Sequence, residues 1–171
     1  MDSFEQVLPK LIKIQLFSDF DVSNPDDRRI LEAVYNNLSI QKFKAGEKII
    51  KEGEIGDLFY ILYSGQVLIT RDTPAGDVIA LATLNSEQNI FFGEMSIISR
   101  DQRSATVTAK TECLTLTISG KKFLEICDAE PILGYRVLAV LARRLANTVR
   151  ETNKDKAILY EALCNEIEIG V

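Results

Sequence analysis

In the run FFGEMSIISRDQRSATV, residues 91–107, an acid and a base, Glu94 and Arg103, stand nine residues apart among small and apolar side chains. Burying a charge is costly unless it is paired, so a segment built only to fill a core would carry neither. Gly93 precedes Glu94, and EMSII is long enough for one helical turn. The free N–H groups at a helix start attract an anion when they face a cavity. Arg103 opens the next extended run, and its planar fork of donors suits a phosphate better than a lysine ammonium does. Ser104 and Ala105 are small enough to let a ligand reach the backbone. A carboxylate beside an anion site serves a neighbouring donor, and a sugar hydroxyl is the obvious one. The alternative is that Glu94 and Arg103 pair with each other across adjacent elements, and spacing does not choose between the two.

The elements that must position this pair change period twice along the chain. Phe4, Val7, Leu8, Leu11 and Ile12 recur at helical spacing behind Asp2 or Ser3 as caps, with Pro9 in the early turns. After SNPDD the pattern returns in Ile30, Leu31, Val34 and Leu38, with Asn24 or Asp26 placed to cap it. From residue 41 the period shortens: IQKFKAGEKII, DLFYILYSG, QVLITRD, DVIALATL, SATVTAK and ECLTLTIS read as short strands separated by turn residues. Six or more such strands predict a barrel or jelly roll. Helical period resumes at Gly120, and Pro131 opens a further element that runs as one long helix or as two. The expectation is a single domain over 1–171: an N-terminal helical segment at 1–40, a β jelly roll at 41–119, and C-terminal helices at 120–168. The fold class is mainly β with flanking α.

Composition narrows the function. The chain has 171 residues, a formal net charge of −5, no histidine and three cysteines. An acidic balance argues against a polynucleotide partner while leaving room for a local basic pocket. Cys113, Cys127 and Cys164 lack ligand-like spacing and are expected to be reduced, buried and inert. The N-terminal MDSFEQVLPKLIKIQLF has neither the charge order nor the apolar core of a signal peptide or membrane span, so a cytoplasmic protein without a membrane partner is expected. Without histidine or a nucleophile–base pair near Glu94, an enzyme such as a phosphodiesterase is the weakest reading, and neither metal nor cofactor is expected.

The stretch FGEMSIISRDQRSATV resembles the phosphate-binding cassette of cyclic-nucleotide-binding domains, in which Phe-Gly-Glu is followed, after a short loop, by Arg, a small residue and Ala. Upstream, KAGEKIIKEGEIGDLFYILYSGQV is similar to the stretch in which that family's glycines, here Gly46, Gly53, Gly56 and Gly65, make the turns of the jelly roll. LFSDF is similar to the family's lead-in, and the resemblance covers about residues 12–150. It implies that Arg103 binds the exocyclic oxygens of a cyclic phosphate and that Glu94 accepts the ribose 2′-hydroxyl. It also implies that Phe92, Gly93, Met95, Ser96, Ser104 and Ala105 complete the cradle. The sequence departs from the pattern at NSEQN, residues 85–89, which lacks a glycine, and at SRDQ, which lacks Gly-x-Pro; both put loop shape in doubt more than binding.

LARRLANTVRE, residues 141–151, resembles the start of the long helix of the family's bacterial activators, where a threonine in the place of Thr148 touches the adenine amino group. Its bland alternative is a polar residue on a half-buried face. Leu138, Leu141, Leu145, Thr148, Thr152, Leu159 and Ala162 form a seven-residue seam, interrupted at Asp155, that suits a parallel helix pair between two subunits, or else covers the chain's own barrel. The resulting expectation is a regulatory module that binds cAMP or cGMP and signals through its C-terminal helices to a downstream protein. It would have no DNA-binding domain, since the sequence ends at Val171. The competing expectation is a protein-interaction module on the same fold without a ligand.

Overall fold

The computed structural model describes residues 3–94 and 102–169. The first helix, α1 (Phe4–Leu11), turns Val7, Leu8 and Leu11 inward, and Gln6 reaches back to accept the Ser3 N–H at 2.8 Å. A 3-10 turn at Gln15–Phe17 buries Leu16 and Phe17. The second helix, α2 (Pro25–Tyr35), starts where Pro25 needs no N–H partner, and the Asn24 side chain accepts the Asp26 N–H at 2.9 Å. Its face of Ile30, Leu31 and Val34, with Leu38 beyond, is buried as the periodicity required.

Eight strands follow: β1 (Ser39–Phe43), β2 (Lys48–Ile50), β3 (Leu58–Ser64), β4 (Gln66–Asp72), β5 (Val78–Asn85), β6 (Phe91–Phe92), β7 (Thr106–Ala109) and β8 (Cys113–Ser119). They form two antiparallel four-stranded sheets ordered β1-β8-β3-β6 and β2-β7-β4-β5, the double-sheet arrangement of a jelly roll. Strand structure begins at Ser39, two residues before the expected boundary. The β6 strand was not anticipated, because two residues carry no alternation to read.

The hydrophobic core has two parts, and the strands that divide them explain an otherwise puzzling composition. Phe59 and Ile61 of β3, with Phe91, face the helices, while Tyr60 and Leu62, with Phe92, face the interior between the sheets. A strand covered on both sides must be apolar throughout, hence FYIL and FF. Tyr60 stacks on Phe92 with centroids 5.2 Å apart, and Phe59 meets Phe91 at 5.5 Å.

The C-terminal part is α3 (Gly120–Ala129) and α4 (Pro131–Ile169). The Ser119 hydroxyl accepts the Lys122 N–H at 3.2 Å to start α3. Glu130 leaves the helix at φ −125°, ψ 79°, as the residue before a proline tends to. Beyond Pro131 the chain is one continuous helix of 39 residues, not two. Leu133, Val137, Val140 and Leu141 are buried on the core, so the first turns are fixed and the rest projects. The expected seam divides here: Leu141 is 2 % exposed, whereas Leu138, Leu145 and Leu159 are 63 %, 41 % and 68 % exposed.

Ion pairs tie the N-terminal segment to these helices. Asp27, 5 % exposed, accepts from Arg136 of α4 and from the Asp21 N–H, both at 2.9 Å, and the Arg136 guanidinium lies 4.5 Å from the Phe20 ring centre. Arg29 pairs with Glu130, and Asp19 approaches Arg143 at 3.5 Å. Of the cysteines only Cys113 is fully buried; Cys127 and Cys164 are half-buried, and all three are free thiols. No helix among the described residues is long and apolar enough to cross a membrane.

Candidate functional site

Arg103 is held where the β2–β3 connection closes on the start of β7. Its backbone N–H donates to the Glu54 carbonyl and its carbonyl accepts from Gly53, both at 2.9 Å, while Gln102 bridges Ile55. The guanidinium donates through Nη1 to the Gly93 carbonyl at 3.1 Å and through Nη2 to the Leu58 carbonyl at 2.6 Å. Neither partner is charged, and no carboxylate lies within ion-pair distance of Arg103 among the described residues. Burial pushes the half-buried guanidinium below its ordinary pKa, while Tyr60, Asp57 and Glu94 pull it back. The group remains a cation with donors to spare and no anion among the described residues.

Two glycines make this posture possible. Gly93 takes φ +76°, and a Cβ there would stand 2.9 Å from the Leu58 carbonyl oxygen and 3.0 Å from Arg103 Nη1. Any other residue would be strained and would displace the hydrogen bonds that aim the guanidinium. Gly46, Gly53 and Gly65 adopt positive φ as expected of turn glycines, but Gly56 does not. Its role is space: a Cβ on Gly56 would lie 3.0 Å from Arg103 Nε.

Glu94 does not pair with Arg103. Its carboxylate, 18 % exposed, faces Arg144 of α4, with Nη2 3.6 Å from Oε1, and the Arg144 guanidinium also lies 4.7 Å from the Phe91 ring centre. The mutual-pairing alternative is therefore set aside by geometry, since each charge has a different neighbour. A cavity of about 370 Å³ opens between them. Glu94, Arg103, Ser104, Ala105, Arg144 and Thr148 contribute its polar and small walls, and Ile50, Ile69, Leu81 and Val107 its apolar ones. The Thr148 hydroxyl donates to the Arg144 carbonyl at 3.1 Å, so what it turns outward is lone pairs, an acceptor.

Most of the residues singled out in the sequence come together at one cavity. Gly93, Glu94, Arg103, Ser104, Ala105 and Thr148 line one cavity. Phe92 supports it from the core without lining it. Met95 and Ser96 lie outside the described residues. Arg144 was missed, although the signal was available: it stands four residues before Thr148 and so shares its helix face. Among the described residues no cluster of side chains could hold a metal ion.

An arginine with no carboxylate partner among the described residues, a glutamate and apolar walls meet in one cavity, an arrangement that can hold an anion carrying a hydroxyl. Known proteins share this frame. The E. coli O6:H1 protein named cAMP-activated global transcriptional regulator CRP is 32 % identical over 128 residues, 74 % of this chain and 60 % of its own length. The Yarrowia lipolytica cAMP-dependent protein kinase regulatory subunit is 36 % identical over 98 residues, 57 % of this chain and 24 % of its own. This chain therefore spans 60 % or less of the length of these curated relatives. The crystal structure of a cyclic nucleotide-binding domain from Methylobacillus flagellatus superposes with a TM-score of 0.71 at 25 % identity, covering 86 % of this chain and 79 % of that one. Thermus thermophilus catabolite activator protein gives 0.69 at 25 % identity, covering 81 % and 62 %. Residues 40–130, from the first strand to the junction of the two C-terminal helices, match the profile of the cyclic nucleotide-binding domain, and the chain belongs to that family.

Proposed function

We propose that the chain is a cAMP sensor: a binding module rather than a catalyst, without a resident cofactor, that reports occupancy through α4. The observation that carries this reading is the half-buried Arg103, which has two carbonyl partners, no carboxylate and an open cavity before it. A cyclic phosphate would supply the missing negative charge, with the Ser104 hydroxyl beside it. Met95 and Ser96 would complete the cradle, as the family resemblance implies. Glu94 would accept the ribose 2′-hydroxyl, which puts the sugar between the two charges.

The base would lie toward Thr148. With its proton given to the Arg144 carbonyl, the Thr148 hydroxyl is an acceptor and favours the 6-amino group of adenine over the 6-oxo group of guanine. The names of the E. coli and Yarrowia relatives, both of which cite cAMP, support the same choice. The acidic balance of the chain, −5, supports a small nucleotide over a polynucleotide, and free thiols fit a cytoplasmic location.

Output through α4 is supported by Arg144 and Thr148, which line the cavity from a helix whose distal part leaves the domain. A ligand that contacts them alters the free energy of that helix position directly. The exposed Leu138, Leu145 and Leu159, spaced by seven and then fourteen residues, are best read as a seam for the same helix of a second copy. Competition of cAMP and cGMP for the site, with amide exchange followed in α4, tests the reading. Preference for cAMP and slowed exchange at 145–152 are expected. Equal affinity would remove the Thr148 assignment, and unchanged exchange would remove the output. Sedimentation of the protein as a monomer with and without nucleotide would remove the second copy.

A further inference from the structure

A second cavity, of about 290 Å³, shares Arg144 with the first. It lies between Lys13 and Gln15 of the N-terminal segment, the approach to β6 at Gln88, Asn89 and Ile90, and α4 at Arg144. Among the described residues no carboxylate lines it, whereas the first cavity contains Glu94. Lys13 makes no ion pair or side-chain hydrogen bond among the described residues, and Arg144 offers its donors only to Glu94, at a loose 3.6 Å. Gln88 spends its Oε1 on the Asn85 N–H at 2.8 Å, which leaves its amide N–H groups free to donate. Nearby, Lys10 is lowered from its ordinary pKa mainly by burial, against the pull of Glu87, and the Lys13 charge adds to the lowering. The floor is apolar, formed by Leu84, Ile90 and Phe91.

We propose that this cavity binds a small organic anion, its charged oxygens between Lys13 and Arg144 and its apolar body on Leu84 and Ile90. Lys13, without an ion pair among the described residues, and Arg144, held only at 3.6 Å by Glu94 from the other cavity, present donors that suit an acceptor. Because Arg144 lines both cavities, an anion here competes with the nucleotide cavity for one guanidinium. The two ligands therefore weaken each other, and by linkage they do so equally. Binding itself stands on the second cavity alone; only the coupling rests on the nucleotide reading.

Phenyl phosphate is the probe, titrated into nitrogen-15-labelled protein and followed by residue-resolved amide shifts. Saturable shifts at Lys13, Gln15, Asn89, Ile90 and Arg144 are expected. Lys13→Ala, at an exposed position, should weaken binding about fivefold, and saturating cAMP should weaken it by a similar factor of about five. Absence of saturable shifts, shifts confined to the surroundings of Arg103, or equal affinity in Lys13→Ala would each overturn the site. Equal affinity for inorganic phosphate would overturn the organic body, and binding of phenol alike would overturn the charge. An unchanged affinity in the presence of bound cAMP would overturn the shared arginine. Failure of cAMP to bind would leave the first titration to decide the site by itself.

Discussion

Two of the arginines partly withdrawn from water, Arg136 and Arg103, are treated in opposite ways. Arg136 meets a carboxylate, Asp27, that is itself satisfied by the Asp21 N–H, and an aromatic ring, Phe20, covers its face. Arg103 meets two neutral carbonyls and a cavity. The first arrangement is complete and ties the N-terminal segment to α4. Among the described residues the second lacks an anion, which leaves a partly desolvated cation able to take one. Completeness of pairing therefore distinguishes these two arginines more sharply than burial does.

Replacing each arginine site in turn should break this contrast if it is wrong. Arg103→Ala should cost about 2–5 kcal/mol of cAMP binding in a calorimetric titration, while its unfolding free energy from a urea titration falls by no more than about 1 kcal/mol, because water can reach the two freed carbonyls. Arg103→Lys should recover part of the binding, since charge returns without the fork. A variant that is strongly destabilised yet binds cAMP normally per folded molecule would return Arg103 to the scaffold.

Asp27→Ala should do the reverse: about 2–3 kcal/mol of stability lost, with cAMP affinity per folded molecule nearly unchanged. The same pair predicts a pH signature. Burial alone would raise Asp27, but the Asp21 N–H and Arg136 hold it below the usual aspartate value of 3.8. A carboxylate lowered in the folded state stabilises fully above 3.8 and loses that contribution as pH falls through the folded value. Acid unfolding of Asp27→Asn should accordingly show a shallower loss below that pH than wild type, and identical slopes would count against the assignment.

How far the sequence foretold these sites depends on how local each signal was. The FGE and RSA elements of the cassette lie within fourteen residues, at 92–94 and 103–105, and their residue types alone suggested an anion and a donor. Strand runs and both apolar helix faces were legible for the same reason, because periodicity is a property of neighbours. Partner choice was not. Glu94 finds Arg144 fifty residues away, and Asp27 finds Arg136 across more than a hundred, through packing that no window along the chain contains. The continuity of α4 was open because nothing in LARRLANTVRETNKDK breaks a helix, yet few of its side chains pay for one by burial.

Smaller substitutions sharpen the receptor itself. Glu94→Gln should weaken cAMP by roughly 1.5–3 kcal/mol, the scale of a hydrogen bond to a charged acceptor, and should weaken 2′-deoxy-cAMP much less in the same calorimeter. Equal losses would detach Glu94 from the ribose. Thr148→Val should cost about 1 kcal/mol for cAMP and leave cGMP nearly unaffected, narrowing the preference measured by competition. A parallel loss for both nucleotides would make Thr148 a packing residue.

The central claim is that the cavity before Arg103 is a receptor for a cyclic nucleotide, and calorimetric titration of cAMP into folded, nucleotide-free protein tests it most directly. Saturable binding at one site per chain, micromolar or tighter and lost in Arg103→Ala, is the predicted result. A flat titration with cAMP and again with cGMP, on protein whose unfolding transition shows it to be folded, would contradict it.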